Sequence, residues 1–550
     1  MTSPDRALTG SISAPVLRSG DRVALFILFI AIGYFVHEAA GLIDAPGLQY
    51  DEVLFVNAAT GEPTNGLFVA KRILGIPVML MGYIGALKAY LYYPVFRLFG
   101  VSAATVRWPV IVVSGLTLCV AYAVARFSFG RVVSALLVLV IAVDPAFIYL
   151  TTLDYGPVAL MLILKLSAVL FALLTVTTGS PRYLWGMTIA CALGLFDKLN
   201  FIWFLLALAL VGGLLFRGEL ADAFRRDRIG FLLPLGFLTV FTGVTTVALI
   251  IPLLTASQAA ESGGGLLERF HYVLGLYART MNGQEFYRQV TKSPLGARSM
   301  TNVVAGFGFL ALGGTTLRAV RRAGGVARLP LQRRILACHL LLFLLIGVQI
   351  LITQKAWGPH HVMMLYPFQH FVVFGAASGL AGRAGAVAVA GVLTVCGLNV
   401  GAAYARGFRP TAEFEAQWSP VVNDLVAYLN RSSADRIVSV DWGTHNQIFA
   451  LGTPRTRAVS RDLWPEFRAL ADREHQERIY LRDFERRHVV AVLFGPRWDI
   501  MPTVRENFTA WTRTFSLVPV LERVFKSPAG TVIFEVYSVD GTPNVSRALR

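Results

Sequence analysis

The sequence predicts a polytopic α-helical membrane protein of about eleven spans, with a soluble α/β or α+β domain at its C-terminus. Three observations carry that prediction. First, 55% of the 550 residues are hydrophobic and only 15% are charged, with a mean hydropathy of +0.59. A soluble domain carries about 25% charged residues. Second, apolar runs near the length of a bilayer crossing, about 20 residues, recur along the first three quarters of the chain. Third, charge density changes abruptly. Residues 1–404 hold 30 basic and 16 acidic residues, whereas residues 405–550 hold 20 and 17. The boundary between a transmembrane domain, 1–404, and a soluble domain, 405–550, therefore falls just after Tyr404.

The candidate spans are 23–43, 104–125, 132–150, 156–178, 183–197, 199–216, 230–253, 299–317, 335–353, 362–382 and 385–404. The fifth and sixth are short and separated by Asp197-Lys198, so one broken element is an open alternative. The run Val23–Val36 followed by Ala39-Ala40 has the make-up of a cleavable signal, but ten further spans favour a retained anchor. Arginines set the orientation. Arg6, Arg18 and Arg22 precede the first span; Arg126, Arg131, Arg182, Arg217, Arg225, Arg226, Arg228, Arg318, Arg321, Arg322, Arg328, Arg333, Arg334 and Arg383 follow alternate spans. All fall on one side if the N-terminus is cytoplasmic. The loops 44–103 and 254–298 and the domain 405–550 then lie outside.

The net charge of +17 is dispersed between apolar runs, which excludes a nucleic-acid stripe and fits positive-inside topology. Of the 50 basic residues only seven are lysine; with abundant Ala, Gly and Val this suggests a GC-rich bacterial source and a bacterial inner membrane. Cys119, Cys191, Cys338 and Cys396 all lie in apolar runs and read as small buried residues. Gly263-Gly264-Gly265 marks a flexible point in the second outer loop.

In the soluble domain, Arg436–Val440, Val489–Phe494 and Thr531–Val536 are β-branched and aromatic runs. Ser516–Phe525 and Thr531–Val536 flank a hairpin turn at Ser527-Pro528-Ala529-Gly530. Val421–Asn430 and Glu466–Arg487 read as helices.

Three acids stand at one membrane interface. Asp51 and Glu52 lie a few residues beyond span one, and Asp154 lies just beyond span three. Lys88 occupies an amphipathic segment of the same outer loop, and Lys71-Arg72 is a second basic pair there. His360 and His361 open span ten on the outer side, near Lys355; adjacent residues do not share a helix face, which argues against a two-histidine chelate. Lys165 lies near the middle of span four, where an unpaired charge is expensive. An Asp144–Lys165 pair is the expected solution, with an ion path as the functional alternative.

These features resemble the GT-C class of integral-membrane glycosyltransferases, the superfamily of the protein O-mannosyltransferases and the lipid A aminoarabinose transferase. Asp51-Glu52 matches the acidic pair of the first outer loop, and Asp154 the further acid after span three. Pro77–Gly85, followed by Tyr92-Tyr93-Pro94 and Phe99-Gly100, resembles the re-entrant juxtamembrane helices. Val106-Arg107-Trp108-Pro109 resembles the Arg-x-Pro entry to span two. His360-His361 stands where many relatives carry Arg-Tyr.

The resemblance implies an enzyme that moves a sugar from a polyprenyl-phosphate carrier to an extracytoplasmic lipid, glycan or protein. It implies Asp51 as general base, with Glu52 and Asp154 orienting the acceptor or raising the pKa of the base by mutual repulsion. Lys88, His360 and His361 are the expected ligands of the donor phosphate. No cofactor is identified, and a divalent metal shared by a histidine and Asp51 stays open. The alternative reading is a transporter or flippase; the clustering of acids at one interface and the lack of an internal repeat argue against it. A non-catalytic assembly factor is a third reading.

Overall fold

A computed structural model describes residues 19–60, 69–251, 265–353, 358–409, 411–470, 472–501 and 503–540. Lys355 and the Gly263-Gly264 point lie outside the described residues.

Each of the eleven apolar runs is helical. They form α1 (Ser19–Ala40), α4 (Ala103–Ala125), α5 (Arg131–Val143) with α6 (Pro145–Thr152), α7 (Val158–Thr178), α8 (Arg182–Asp197), α9 (Phe201–Leu215), α11 (Arg228–Val244), α14 (Thr301–Ala323), α15 (Leu331–Ile352) and the two legs of α17 (Phe368–Gly407). The intervening helices are α2 (Tyr50–Thr60), α3 (Leu87–Phe99), α10 (Arg217–Arg226), α12 (Leu266–Met281), α13 (Gln284–Thr291) and α16 (Pro359–Val362). Among the described residues, seven helical elements are long and apolar enough to cross a membrane, or up to nine if each bent pair is one span. That count is below eleven for two reasons. Helix α17 is counted once although Ala381 and Gly382 leave helical geometry within it. Helix α8 has only 16 residues, while α5–α6 and α9–α10 are the bent pairs that raise seven to nine. Helices α8 and α9 are separate, joined at Lys198–Asn200. The protein is an integral membrane protein.

The segment expected as the first re-entrant helix is instead a small antiparallel sheet. Strands β1 (Lys71–Ile73), β2 (Ile76–Met81) and β3 (Ile84–Gly85) pair in sequence order. Leu74 and Gly75 both have positive φ, as a tight hairpin turn requires, and the β-branched Ile76, Val78 and Ile84 favour strand. Helix α3 follows as expected. A Cβ on Gly85 would sit 1.9 Å from the Phe196 carbonyl oxygen, so only glycine lets this sheet reach the end of α8. Leu199 N donates to Tyr83 O at 2.9 Å, and the sheet thereby holds the α8–α9 junction.

The described residues between 411 and 540 form an α/β domain. Its helices are α18 (Val422–Leu429), α19 (Thr444–Leu451), α20 (Pro454–Val459), α21 (Trp464–Arg468), α22 (Arg473–Ile479) and α23 (Val504–Thr514). Its strands are β4 (Arg436–Ser439), β5 (Ser460–Asp462), β6 (His488–Phe494), β7 (Val520–Lys526) and β8 (Val532–Asp540), in the sheet order β5-β4-β6-β8-β7. Strand β4 is parallel to β5 and β6, and β8 is antiparallel to β6 and β7. Alternate residues feed two cores: Ile437, Val490 and Val492 pack with α18, and Val438, Val489 and Ala491 pack with Phe467 and Trp511. The run 466–487, expected as one helix, breaks into α21, α22 and a π-helical turn at Tyr480–Phe484. Strand β5 carried no sequence signal, being three residues long.

Candidate active site

The site begins with α2, which presents adjacent acids to two environments. Glu52 is 1% exposed, and Arg107 grips it with both arms of its guanidinium: Nε to Oε1 at 2.8 Å and Nη2 to Oε2 at 2.9 Å. The same guanidinium donates to the carbonyls of Leu42 (2.5 Å), Ile43 (3.0 Å), Pro46 (2.8 Å) and Gly47 (3.1 Å). Buried carbonyls need donors, and the planar fork of arginine suits a carboxylate and several carbonyls at once. Arg107 thus fixes the turn that carries the chain from α1 into α2. Its Arg-x-Pro position at the start of α4 is a structural feature.

Asp154 and Lys88 form a second buried pair. Lys88 Nζ lies 2.8 Å from Asp154 Oδ2 and donates to the Asp154 backbone oxygen at 2.6 Å; the side chains are 0% and 1% exposed. Asp154 Oδ1 accepts from Ala159 N at 2.9 Å, within the first turn of α7. Burial pushes the Asp154 carboxyl above the usual aspartate range, with Lys88 opposing. Asp154 has φ +34°, an uncommon conformation for a non-glycine residue that these bonds hold in place. Lys88 also lies over the rings of Phe55 (4.7 Å) and Tyr92 (5.5 Å). Lys88 was expected as a free interfacial cation for the donor phosphate; here it is enclosed and paired.

Asp51 is the acid left open. Its backbone N donates to Gln49 Oε1 at 2.7 Å, while its partly exposed carboxylate has no hydrogen-bond or ion-pair partner among the described residues. Burial raises its pKa from 3.8 to about 7, and Lys198 opposes the rise. The expected cause, repulsion from Glu52 and Asp154, is replaced by desolvation, because arginine and lysine neutralise those two acids. The charge of Asp51 reaches Tyr50, Tyr83, Tyr155 and Lys198, which come from four separate segments.

Lys198 is the residue that sequence reasoning missed. It is 4% exposed and makes no side-chain hydrogen bond or ion pair with the described residues. Burial lowers its pKa from 10.5 to about 8, with Asp51, Asp197 and Asp154 opposing. The signal was available: an Asp-Lys pair inside an apolar stretch is expensive, yet the sequence reading treated it only as a possible span break. Around Lys198 further polar groups are unpartnered. Both carboxylate oxygens of Asp197 and both amide atoms of Asn200 are buried without a hydrogen bond among the described residues.

His360 and His361 belong to the short α16. Their rings are 4.2 Å apart, and His360 meets Tyr155 edge-on at 5.4 Å. Tyr155 therefore bridges the surroundings of Asp51 and the histidines. His361 Nδ1 accepts from Gly358 N at 3.2 Å, which leaves its Nε2 as the protonated, donating nitrogen when the ring is neutral. Among the described residues no group of three or more His, Cys, Asp or Glu converges to hold a metal ion.

Lys165 positions that segment from below. Its Nζ donates to the carbonyls of Met363 (3.2 Å), Met364 (2.7 Å) and Tyr366 (2.5 Å), which lie in the short 3-10 turn and linker between α16 and α17. The expected Asp144–Lys165 pair is not formed. Asp144 instead caps α6 through Ala146 N at 2.8 Å and meets His370 Nε2 at 3.1 Å. Lys165 is satisfied by backbone, which removes the one feature that favoured an ion path.

The soluble domain packs on the helix that carries Asp51. Gly47 N donates to Trp418 O at 2.6 Å, Gln447 Nε2 to Leu48 O at 2.7 Å, and Asn57 Nδ2 to Asn446 O at 3.2 Å. Tyr50 and Trp442 have ring centroids 4.5 Å apart. A Cβ on Gly47 would lie 2.6 Å from the Ser419 carbonyl oxygen, so the close approach depends on glycine.

Residues 86–251 match the profile of a family described as dolichyl-phosphate-mannose-protein mannosyltransferase. Among solved structures, ArnT from Cupriavidus metallidurans bound to undecaprenyl phosphate superposes with a TM-score of 0.56 and 13% identity, covering 94% of this chain and 97% of that one. The chain has the GT-C fold. The apo state of the same ArnT gives a TM-score of 0.53 at 12% identity, with the same coverage. The oligosaccharyltransferase of Archaeoglobus fulgidus, in complex with Zn and sulfate, gives 0.51 at 12% identity over 94% of this chain and 73% of that one. No curated protein matches the sequence significantly. The shared GT-C fold includes the membrane helices and the C-terminal domain, since nearly the whole chain is covered.

Proposed function

We propose that the protein transfers a sugar from a polyprenyl-phosphate carrier to an acceptor on the outer face of a bacterial inner membrane, with Asp51 as general base. The observation that carries this reading is the contrast among the three acids: Glu52 and Asp154 are neutralised, and Asp51 stands open with its pKa near neutrality. The ArnT of the same fold is bound to undecaprenyl phosphate, which supports a lipid phosphate as the donor carrier here.

The chemistry follows from the groups at hand. Asp51 takes the proton of the acceptor hydroxyl as that oxygen bonds to C1 of the sugar. The bond from C1 to the phosphate oxygen breaks, and the polyprenyl phosphate leaves with its electron pair. Lys198 compensates the charge on that phosphate, with His360 and His361 donating hydrogen bonds. Lys88 keeps Asp154 neutralised. The arginine asymmetry supports a cytoplasmic N-terminus and a site on the outer face.

The test is turnover. Purified protein, supplied with polyprenyl-phosphate sugar, should release polyprenyl phosphate in step with acceptor glycosylation. Cells lacking the protein should accumulate the charged carrier in their lipid extract. Unchanged carrier levels in such cells, together with no turnover across hexose and pentose donors, would refute the reading.

A further inference from the structure

The far end of the membrane domain holds a second site. Helices α14, α15 and α17 enclose a cleft of about 570 Å³ there. Arg318, Arg322 and Arg333 line it, beside Thr316. Gly379, also in the lining, lies roughly 16 Å along α17 from its start at 1.5 Å per residue, so the cleft is distinct from the Asp51 site.

The electrostatics are unusual for this molecule. None of the lining residues is acidic. None of the three arginines forms an ion pair with the described residues, although the adjacent Arg334 is held by Glu219. The wall beneath them is apolar, formed by Leu312, Ala319 and Leu336, while Gly375 and Gly379 leave it shallow. Next to the cleft, α14 and α15 present Leu310, Leu317, Leu344 and Val348 to the exterior, where acyl chains would run. Positive-inside topology accounts for arginines on this side, but not for three of them converging on one cleft without a counter-charge. Guanidinium forks match phosphate oxygens in geometry and charge.

We propose that this cleft binds the phosphate of an anionic glycerophospholipid of the surrounding bilayer. The arginines hold the headgroup and the apolar helix faces hold the chains. Such a lipid ties α14, α15 and the first leg of α17 together at the end opposite the catalytic site. The site does not depend on the sugar-transfer reading.

The experiment uses purified, delipidated full-length protein in detergent. Dioleoylphosphatidylglycerol and dioleoylphosphatidylcholine are titrated separately, with bound lipid counted by native mass spectrometry and unfolding followed thermally. The expected result is a saturable phosphatidylglycerol adduct that raises the unfolding midpoint and that phosphatidylcholine does not displace. A surface basic residue contributes about fivefold to anionic-lipid binding. Replacing all three as Arg318→Gln, Arg322→Gln and Arg333→Gln should weaken the adduct about 10²-fold. If that variant does not fold, Arg322→Gln alone should cost about fivefold, and Arg321→Gln, which does not line the cleft, nothing. Equal binding of the two lipids, or unchanged binding in the arginine variants, would overturn the proposal. So would displacement by inorganic phosphate at the same concentration, which would mark a free-phosphate site instead.

Discussion

Asp51 and Glu52 are neighbours in sequence with opposite fates, and the difference lies in what each faces. Glu52 points into the protein, where Arg107 satisfies both carboxylate oxygens. Asp51 has Tyr50, Tyr83, Tyr155 and Lys198 within reach of its charge, and none of the described residues bonds its carboxylate. Removing a carboxylate from water is costly unless a partner compensates. The first acid is therefore a fastening, and the second, whose burial is left uncompensated, is the one we propose as the base. The pair shows that an acidic motif at an interface has to be divided, residue by residue, before a role is assigned.

Glu52→Gln leaves Arg107 as a buried, unpaired charge. Breaking such a pair typically costs about 3–5 kcal/mol. A large drop in unfolding midpoint and in folded yield is expected, and adding Arg107→Met should not restore it, because the carbonyls of Leu42, Ile43, Pro46 and Gly47 then lose their donor. Little change in midpoint would mean that Glu52 is not the fastening. Asp154→Asn should behave similarly through Lys88, since the two side chains are 1% and 0% exposed; here Lys88→Met is the partner change that should recover stability.

The open half is sharpened by pH. Asp51 must be ionised to accept a proton, and its pKa is raised to about 7. Lys198 must be protonated to meet the leaving phosphate, and its pKa is lowered to about 8. The profile of kcat/KM should therefore rise through about 7 and fall through about 8. Below the lower limb, activity should drop about tenfold per pH unit. Lys198→Met should remove the upper limb and retain the lower one. A flat profile between pH 5 and 9 would remove both assignments.

The smallest expected effect concerns the docking of the two domains. Gln447→Ala removes the hydrogen bonds of its Nε2 to Leu48 O and Gln417 O, each worth about 1 kcal/mol. The unfolding midpoint should fall by a few degrees while the pH profile keeps its limbs. A shifted lower limb would show that the soluble domain tunes Asp51.

Much of the architecture was legible in the sequence because a bilayer leaves few solutions for an apolar run. The eleven runs and the step in charge density follow from that constraint alone. The β1–β3 sheet was missed because Pro77–Gly85 was read by resemblance as a re-entrant helix, and its strands of three, six and two residues are too short to show a period of two. At the site, the positions of Asp51, Glu52 and Asp154 beyond their spans could be read directly. Their pairing could not. Glu52 meets Arg107 across 55 residues and Lys88 meets Asp154 across 66, and no local pattern encodes such contacts. Lys165 misled for the same reason: its partners are backbone carbonyls, which every sequence has.

The central claim is that Asp51 acts chemically and fastens nothing. Measuring transfer by purified Asp51→Asn, beside its unfolding midpoint at pH 8, tests it most directly. Burial raises the Asp51 pKa from 3.8 to about 7, so its ionised form destabilises the fold progressively above pH 3.8, and the penalty is fully present at pH 8. The neutral amide escapes that penalty. The account predicts an unchanged or higher midpoint together with a rate lower by roughly 10²–10⁴-fold. Near-normal transfer, or a loss of activity that merely follows a loss of folded protein, would contradict it.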